Sequence, residues 1–117
     1  MRILALAATI FLSLAAATAA YAHAFLDHAE PRVGSTVATA PKEVTLFFNQ
    51  NIEGAFSSIE VSDANGARVD QGKPRISAGS LRISVKALPP GTYRVRWKVL
   101  SVDTHATEGN FSFHVGQ

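Results

Sequence analysis

The chain contains no cysteine. Disulfides, thiolate metal centres and cysteine nucleophiles are therefore excluded, and with them a blue-copper electron carrier, whose site needs a Cys sulfur. Methionine occurs once, at Met1, so no soft thioether site survives loss of the N-terminus. No lysine or arginine cluster is interleaved with aromatics in the manner of a nucleic-acid surface. There is no G-x-S-x-G element to support serine hydrolase chemistry. A helical period is also missing after residue 22, which leaves strands as the way to bury the apolar residues.

The first 22 residues carry one cation, Arg2, then an apolar run from Ile3 through Ala17, and finish on Ala20-Tyr21-Ala22. Small residues at both A-x-A positions fit a signal peptide cleaved after Ala22. The alternative, an uncleaved anchor, needs a longer span than the apolar core of residues 3–14 supplies. The expected domains are thus a signal peptide over 1–22 and a mature β domain over 23–117. About 95 residues suffice for one domain with a single core and are too few for two. Loss of Arg2 leaves the mature chain nearly neutral, so the basic precursor implies nothing about partners.

Residues 93–105 hold the clearest strand. Tyr93, Val95, Trp97 and Val99 alternate with Arg94, Arg96 and Lys98, the period of a strand with one face in a core and one in water. Other strands are expected at 25–29, at 43–49 with Val44, Leu46 and Phe48 on one face, and at 57–62. Further ones are expected at 81–85 and at 110–115, where Phe111, Phe113 and Val115 point inward. Residues 67–70 read as a short hairpin partner and 71–79 as mostly connection. About seven antiparallel strands separated by turn signals predict an all-β Greek-key sandwich or barrel of immunoglobulin-like type.

The alternation of the Trp97 strand breaks at Ser101-Val102-Asp103-Thr104-His105. A carboxylate and an imidazole two residues apart at a strand end can point the same way, which makes Asp103 and His105 half of a candidate metal site. Alone they are better read as an ordinary polar loop. A third ligand comes from the other end of the chain. Cleavage after Ala22 makes His23 the first residue, and its free α-amine and imidazole can chelate one ion. One amine, two imidazoles and a carboxylate suit a tetragonal Cu(II) or Ni(II) ion, with Cu(II) highest in affinity and zinc the main competitor.

His23-Ala24-Phe25-Leu26, Ala29-Glu30-Pro31, Leu46-Phe47-Phe48, Pro90-Gly91-Thr92-Tyr93, Trp97 and Ser101-Val102-Asp103-Thr104-His105 together resemble the CopC family of periplasmic copper-resistance proteins. The resemblance implies a β-barrel or sandwich that binds Cu(II) through His23, Asp103 and His105. It also implies service in copper homeostasis, with an inner-membrane copper transporter of the CopD type as partner. Gln50 stands where some relatives have a glutamate near the copper. Phe25 stands where many have a second histidine and can only pack. With no methionine after Met1, the chain resembles the Cu(II)-only members.

Two other classes compete with a non-catalytic copper binder. A histidine-brace copper monooxygenase would share the N-terminal histidine, but Asp103 would occupy a position that oxygen needs. A metal-free immunoglobulin-like interaction module would have the same strands. Of the remaining residues, His28 is expected on the opposite face from Asp27, either solvated or supporting a ligand. His114 is expected to be a solvated strand residue, and Trp97 and Tyr93 to belong to the core. Glu108 is close enough in sequence to His105 to orient its ring. The sequon Asn110-Phe111-Ser112 falls on an inward-facing strand.

Overall fold

The computed structural model describes residues 24–117. The expected signal peptide and His23 lie outside the described residues. Among the described residues eight strands form: β1 (Leu26–Glu30), β2 (Thr36–Val37), β3 (Glu43–Phe48), β4 (Ser58–Asp63), β5 (Asp70–Ser77), β6 (Ser80–Val85), β7 (Gly91–Leu100) and β8 (Ala106–Val115). A 3-10 turn, Gly54–Phe56, precedes β4. One sheet has the order β1-β3-β6-β5 and the other β2-β8-β7-β4. Every pairing is antiparallel except that of β2 with β8. The result is the expected β-sandwich, with the two-residue β2 added to the expected strands.

The core lies between the sheets, and its residues are those whose period of two turns them inward. Ala29, Val44, Leu46, Phe48, Leu81, Ile83 and Val85 come from one sheet. Ile59, Val61, Tyr93, Val95, Val99, Phe111, Phe113 and Val115 face them from the other. At about 1.5–3 kcal/mol for each fully buried large apolar side chain, this burial is what stabilises a domain without disulfides. Tyr93 stacks on Phe113 at 5.6 Å, and its hydroxyl donates to the carbonyl of Pro89 at 2.5 Å. The polar tip of Tyr93 is thereby satisfied.

Two expectations are corrected. Residues 71–79 are not mostly connection, because Asp70–Ser77 form edge strand β5 against β6. The pairing shifts register between Gln71 and Arg75, where Gly72 has φ 78° and Pro74 cannot donate a ladder hydrogen bond. An edge strand tolerates both, whereas a central one would not. The last strand starts at Ala106 rather than Asn110, so the hairpin with β7 runs unbroken to the edge of the expected metal loop.

In β1 a register shift between Leu26 and His28 leaves Asp27 as a bulged residue. The bulge cancels the alternation, so Asp27 and His28 are both exposed and lie 2.7 Å apart, Nδ1 to Oδ2. The His28 ring stacks on Phe47 at 4.2 Å. The expected opposite face is thus corrected, while His28 is solvated as one of its two expected readings had it. Trp97 is half-buried against the core and meets Phe48 edge-on at 5.1 Å. Gly109, its cross-strand partner, leaves room for it: a Cβ there would lie 2.6 Å from the Trp97 ring.

Candidate metal centre

β7 ends at Leu100 and β8 begins at Ala106, so residues 101–105 are the tip of the longest hairpin in the fold. The tip is held from inside by Ser101, which is fully buried and bridges to Ile52. Its N–H donates to the carbonyl of His105 at 3.0 Å, and its hydroxyl accepts from the N–H of His105 at 3.3 Å. The same hydroxyl donates to Oδ1 of Asp103. One small buried residue thus fixes both the loop closure and the carboxylate's direction. Thr104, at φ 72°, turns the chain between the two candidate ligands, its N–H donating to the carbonyl of Ser101 at 2.9 Å.

From outside, the loop leans on the segment that follows β3. Val102 N–H donates to the carbonyl of Asn51 at 3.2 Å, and Glu53 N–H to that of Leu100 at 2.8 Å. Asp103 and His105 are brought together, with Oδ1 and Nδ1 3.3 Å apart and both side chains open to solvent. Two donors bound to one ion at about 2.0 Å lie roughly 2.8–3.3 Å apart when the angle between them is near 90–110°. The observed spacing needs little adjustment to hold an ion. The Ser101 hydroxyl, helped by His105, holds the Asp103 carboxyl below the usual carboxylate range. It is therefore charged and ready to bind a cation at neutral pH.

His23 itself lies outside the described residues, but the next two residues are firmly placed. Ala24 is fully buried, and its carbonyl accepts the hydroxyl of Thr107 at 2.7 Å. Phe25 N–H donates to the side-chain oxygen of Asn49 at 2.7 Å, and Asn49 N–H donates back to the Phe25 carbonyl at 3.0 Å. This two-point grip extends β1 toward the hairpin tip. The ring of Phe25 is half exposed, so at this position the backbone, more than the side chain, does the holding.

Asn49, Ser101 and Thr107 support the site through hydrogen bonds that their residue types alone do not announce. The only signal was position, since each sits beside a candidate ligand or at the end of a strand. Glu108 registers opposite Lys98 on the outer face of the hairpin. His114 sits at hydrogen-bond distance, 2.9 Å, from the Thr92 hydroxyl. Among the described residues no group of three or more His, Asp or Glu side chains converges as a metal site.

An immunoglobulin-like sandwich with a carboxylate and an imidazole side by side at the tip of its longest hairpin defines a class of small β domains with an exposed donor pair. The chain belongs to the CopC family: the family model of the CopC domain matches residues 26–116. It is 34% identical over 101 residues to the copper transport protein CutJ of Bacillus subtilis, a match covering 83% of this chain and 19% of CutJ. The crystal structure of CopC from Methylosinus trichosporium OB3b superposes with a TM-score of 0.75 at 35% identity, covering 80% of this chain and 94% of that one. PcoC, a methionine-rich copper resistance protein from Escherichia coli, superposes with a TM-score of 0.71 at 33% identity, covering 80% of this chain and 99% of that one. This chain, with Met1 as its only methionine, does not share that richness.

Proposed function

We propose that the mature protein, freed of residues 1–22, binds Cu(II) in the periplasm through the α-amine and imidazole of His23, the carboxylate of Asp103 and the imidazole of His105. It buffers the ion or hands it on and catalyses no reaction. The observation that carries this reading is the anchoring of Ala24, the residue bonded to His23, by Thr107, two positions after His105. It supports the reading because Ala24 is held beside the hairpin that carries Asp103 and His105.

Three nitrogens and one carboxylate oxygen suit the tetragonal preference of Cu(II). Four protein donors would satisfy such an ion without a reacting ligand, which favours storage or transfer over oxygen chemistry. The exposure of Asp103 and His105 leaves the ion accessible to a partner. An inner-membrane copper transporter of the CopD type fits that role. In its support, a related domain forms part of the much longer copper transport protein CutJ.

The test is a Cu(II) titration followed by electron paramagnetic resonance, on protein beginning at His23 and on protein extended by one Gly before it. The native start should give an axial signal with nitrogen couplings. The extension should weaken binding by at least about tenfold, because it converts the amine to an amide whose proton is held far more tightly. Equal affinity of the two proteins would remove the amine from the site, and a spectrum matching buffer copper would remove the site altogether.

A further inference from the structure

The outer face of the β2-β8-β7-β4 sheet carries a second feature, away from the hairpin tip. Arg94 and Arg96 project from the same face of β7, about 7 Å apart along the strand. Arg94 lies between Ser62 of β4 and Ser112 of β8, and Arg96 between Glu60 and Asn110. Small hydroxyl neighbours leave an open cleft of about 390 Å³, lined by Ser62, Asp63, Thr92, Arg94, Arg96 and Ser112.

The acidic groups nearby are engaged elsewhere. Glu60 turns to Arg68 at 3.2 Å, and Oδ1 of Asp63 accepts the N–H groups of Asn65 and Ala67 at 2.9 and 3.0 Å. Among the described residues, neither Arg94 nor Arg96 has an acidic partner within 4.0 Å. Arg94 makes one long contact, 3.4 Å, to the neutral oxygen of Asn110. On the opposite sheet, by contrast, Arg75 and Arg82 converge on Glu43 at 2.8 and 3.7 Å.

We propose that this cleft binds a phosphate group, with the Arg94 and Arg96 guanidinium forks and the Ser62 and Ser112 hydroxyls as donors. Guanidinium forks match the oxygens of a tetrahedral oxyanion in pairs, and hydroxyls supply further donors. The cleft is larger than inorganic phosphate, so it also admits the ester of a soluble phosphate or the headgroup of an anionic lipid. Arg94 lies roughly 20 Å along β7 from Leu100, which makes this site independent of the metal loop.

Amide chemical shifts followed during a sodium phosphate titration at constant ionic strength, with acetate as the comparison anion, test the proposal. Shifts at Ser62, Arg94 and Ser112 should saturate with phosphate. The double variant Arg94→Gln/Arg96→Gln should weaken the apparent Kd by at least about fivefold, since it removes both charged forks. The charge-matched control Arg75→Gln/Arg82→Gln on the other sheet should bind as the parent does, and the unliganded spectra report that both variants fold. Cosedimentation with phosphatidylglycerol vesicles that is lost in Arg94→Gln/Arg96→Gln would identify the lipid headgroup as the source. Saturation by phosphate without vesicle binding would identify a soluble phosphate. Shifts that rise linearly in every protein, or equal weakening in both double variants, overturn the proposal.

Discussion

The hydroxyl of Thr107 reaches the carbonyl of Ala24 across 83 residues of sequence, at 2.7 Å. This bond, with the grip of Asn49 on Phe25, joins the start of the described chain to the hairpin that carries Asp103 and His105. Thr107→Val removes the hydroxyl and keeps the shape, and should cost about 1 kcal/mol in metal-free stability. In protein beginning at His23, Cu(II) affinity should fall by about tenfold or more, as for other groups that orient a ligand. Loss of stability with unchanged affinity would mean that the anchor serves the fold alone.

Ser101→Ala tests the inner support of the loop. Without the hydroxyl, the Asp103 carboxyl loses the main cause of its lowered pKa and should titrate nearer the usual carboxylate range. The carbon-13 shift of the carboxyl in the metal-free protein measures this directly. The variant should then release Cu(II) at a higher pH than the parent, since protonation of Asp103 competes earlier as pH falls. An unmoved Asp103 titration would show that Ser101 does not hold the carboxylate in solution.

Gly109→Ala places a methyl group 2.6 Å from the Trp97 ring, in a contact that cannot exist without movement. Trp97 meets Phe48 edge-on, so its displacement disturbs packing between the two sheets. The expected destabilisation is about 1–3 kcal/mol, typical of an overpacked site. Urea unfolding followed by tryptophan fluorescence reads it cleanly, because Trp97 is the sole tryptophan. A stability equal to the parent would mean that the ring moves aside at no cost.

Asp70 gives the fold a pH dependence separate from the loop at 101–105. Burial pushes its carboxyl up, but the Arg68 guanidinium, bound through both carboxylate oxygens, and the N–H of Val61 together bring it below the ordinary carboxylate value. Stability from this group is therefore complete above the unfolded value of about pH 3.9 and fades as pH falls through the lower folded value. Asp70→Asn should destabilise by about 1–3 kcal/mol at pH 7. The gap between parent and variant should close in acid, and a constant gap from pH 7 to pH 2 would assign the loss to packing.

What was legible in the sequence depended on period and on distinctive chemistry. The alternation of Tyr93, Val95 and Val99 predicted their burial, and that of Phe111, Phe113 and Val115 theirs. Asp103 and His105 stood out as metal-binding types at a broken strand end, and they do lie side by side. Strand β5 was illegible because Gly72 and Pro74 interrupt its pattern, and only its edge position makes them tolerable. Asp27 escaped because a bulge changes face without changing composition. Asn49 and Thr107 escaped because common polar residues acquire their roles only through partners 24 and 83 positions away.

Ten cross-strand pairs, from Gly91 with Val115 to Leu100 with Ala106, secure the hairpin before its tip is reached. None of those rungs depends on what the five residues beyond them bind. The tip is thus an exchangeable cartridge on a finished frame, in which the side chains at positions 103 and 105 can be changed without rebuilding either sheet. Position 101 is the exception, since its hydroxyl and its buried bridge to Ile52 lock the cartridge to the frame.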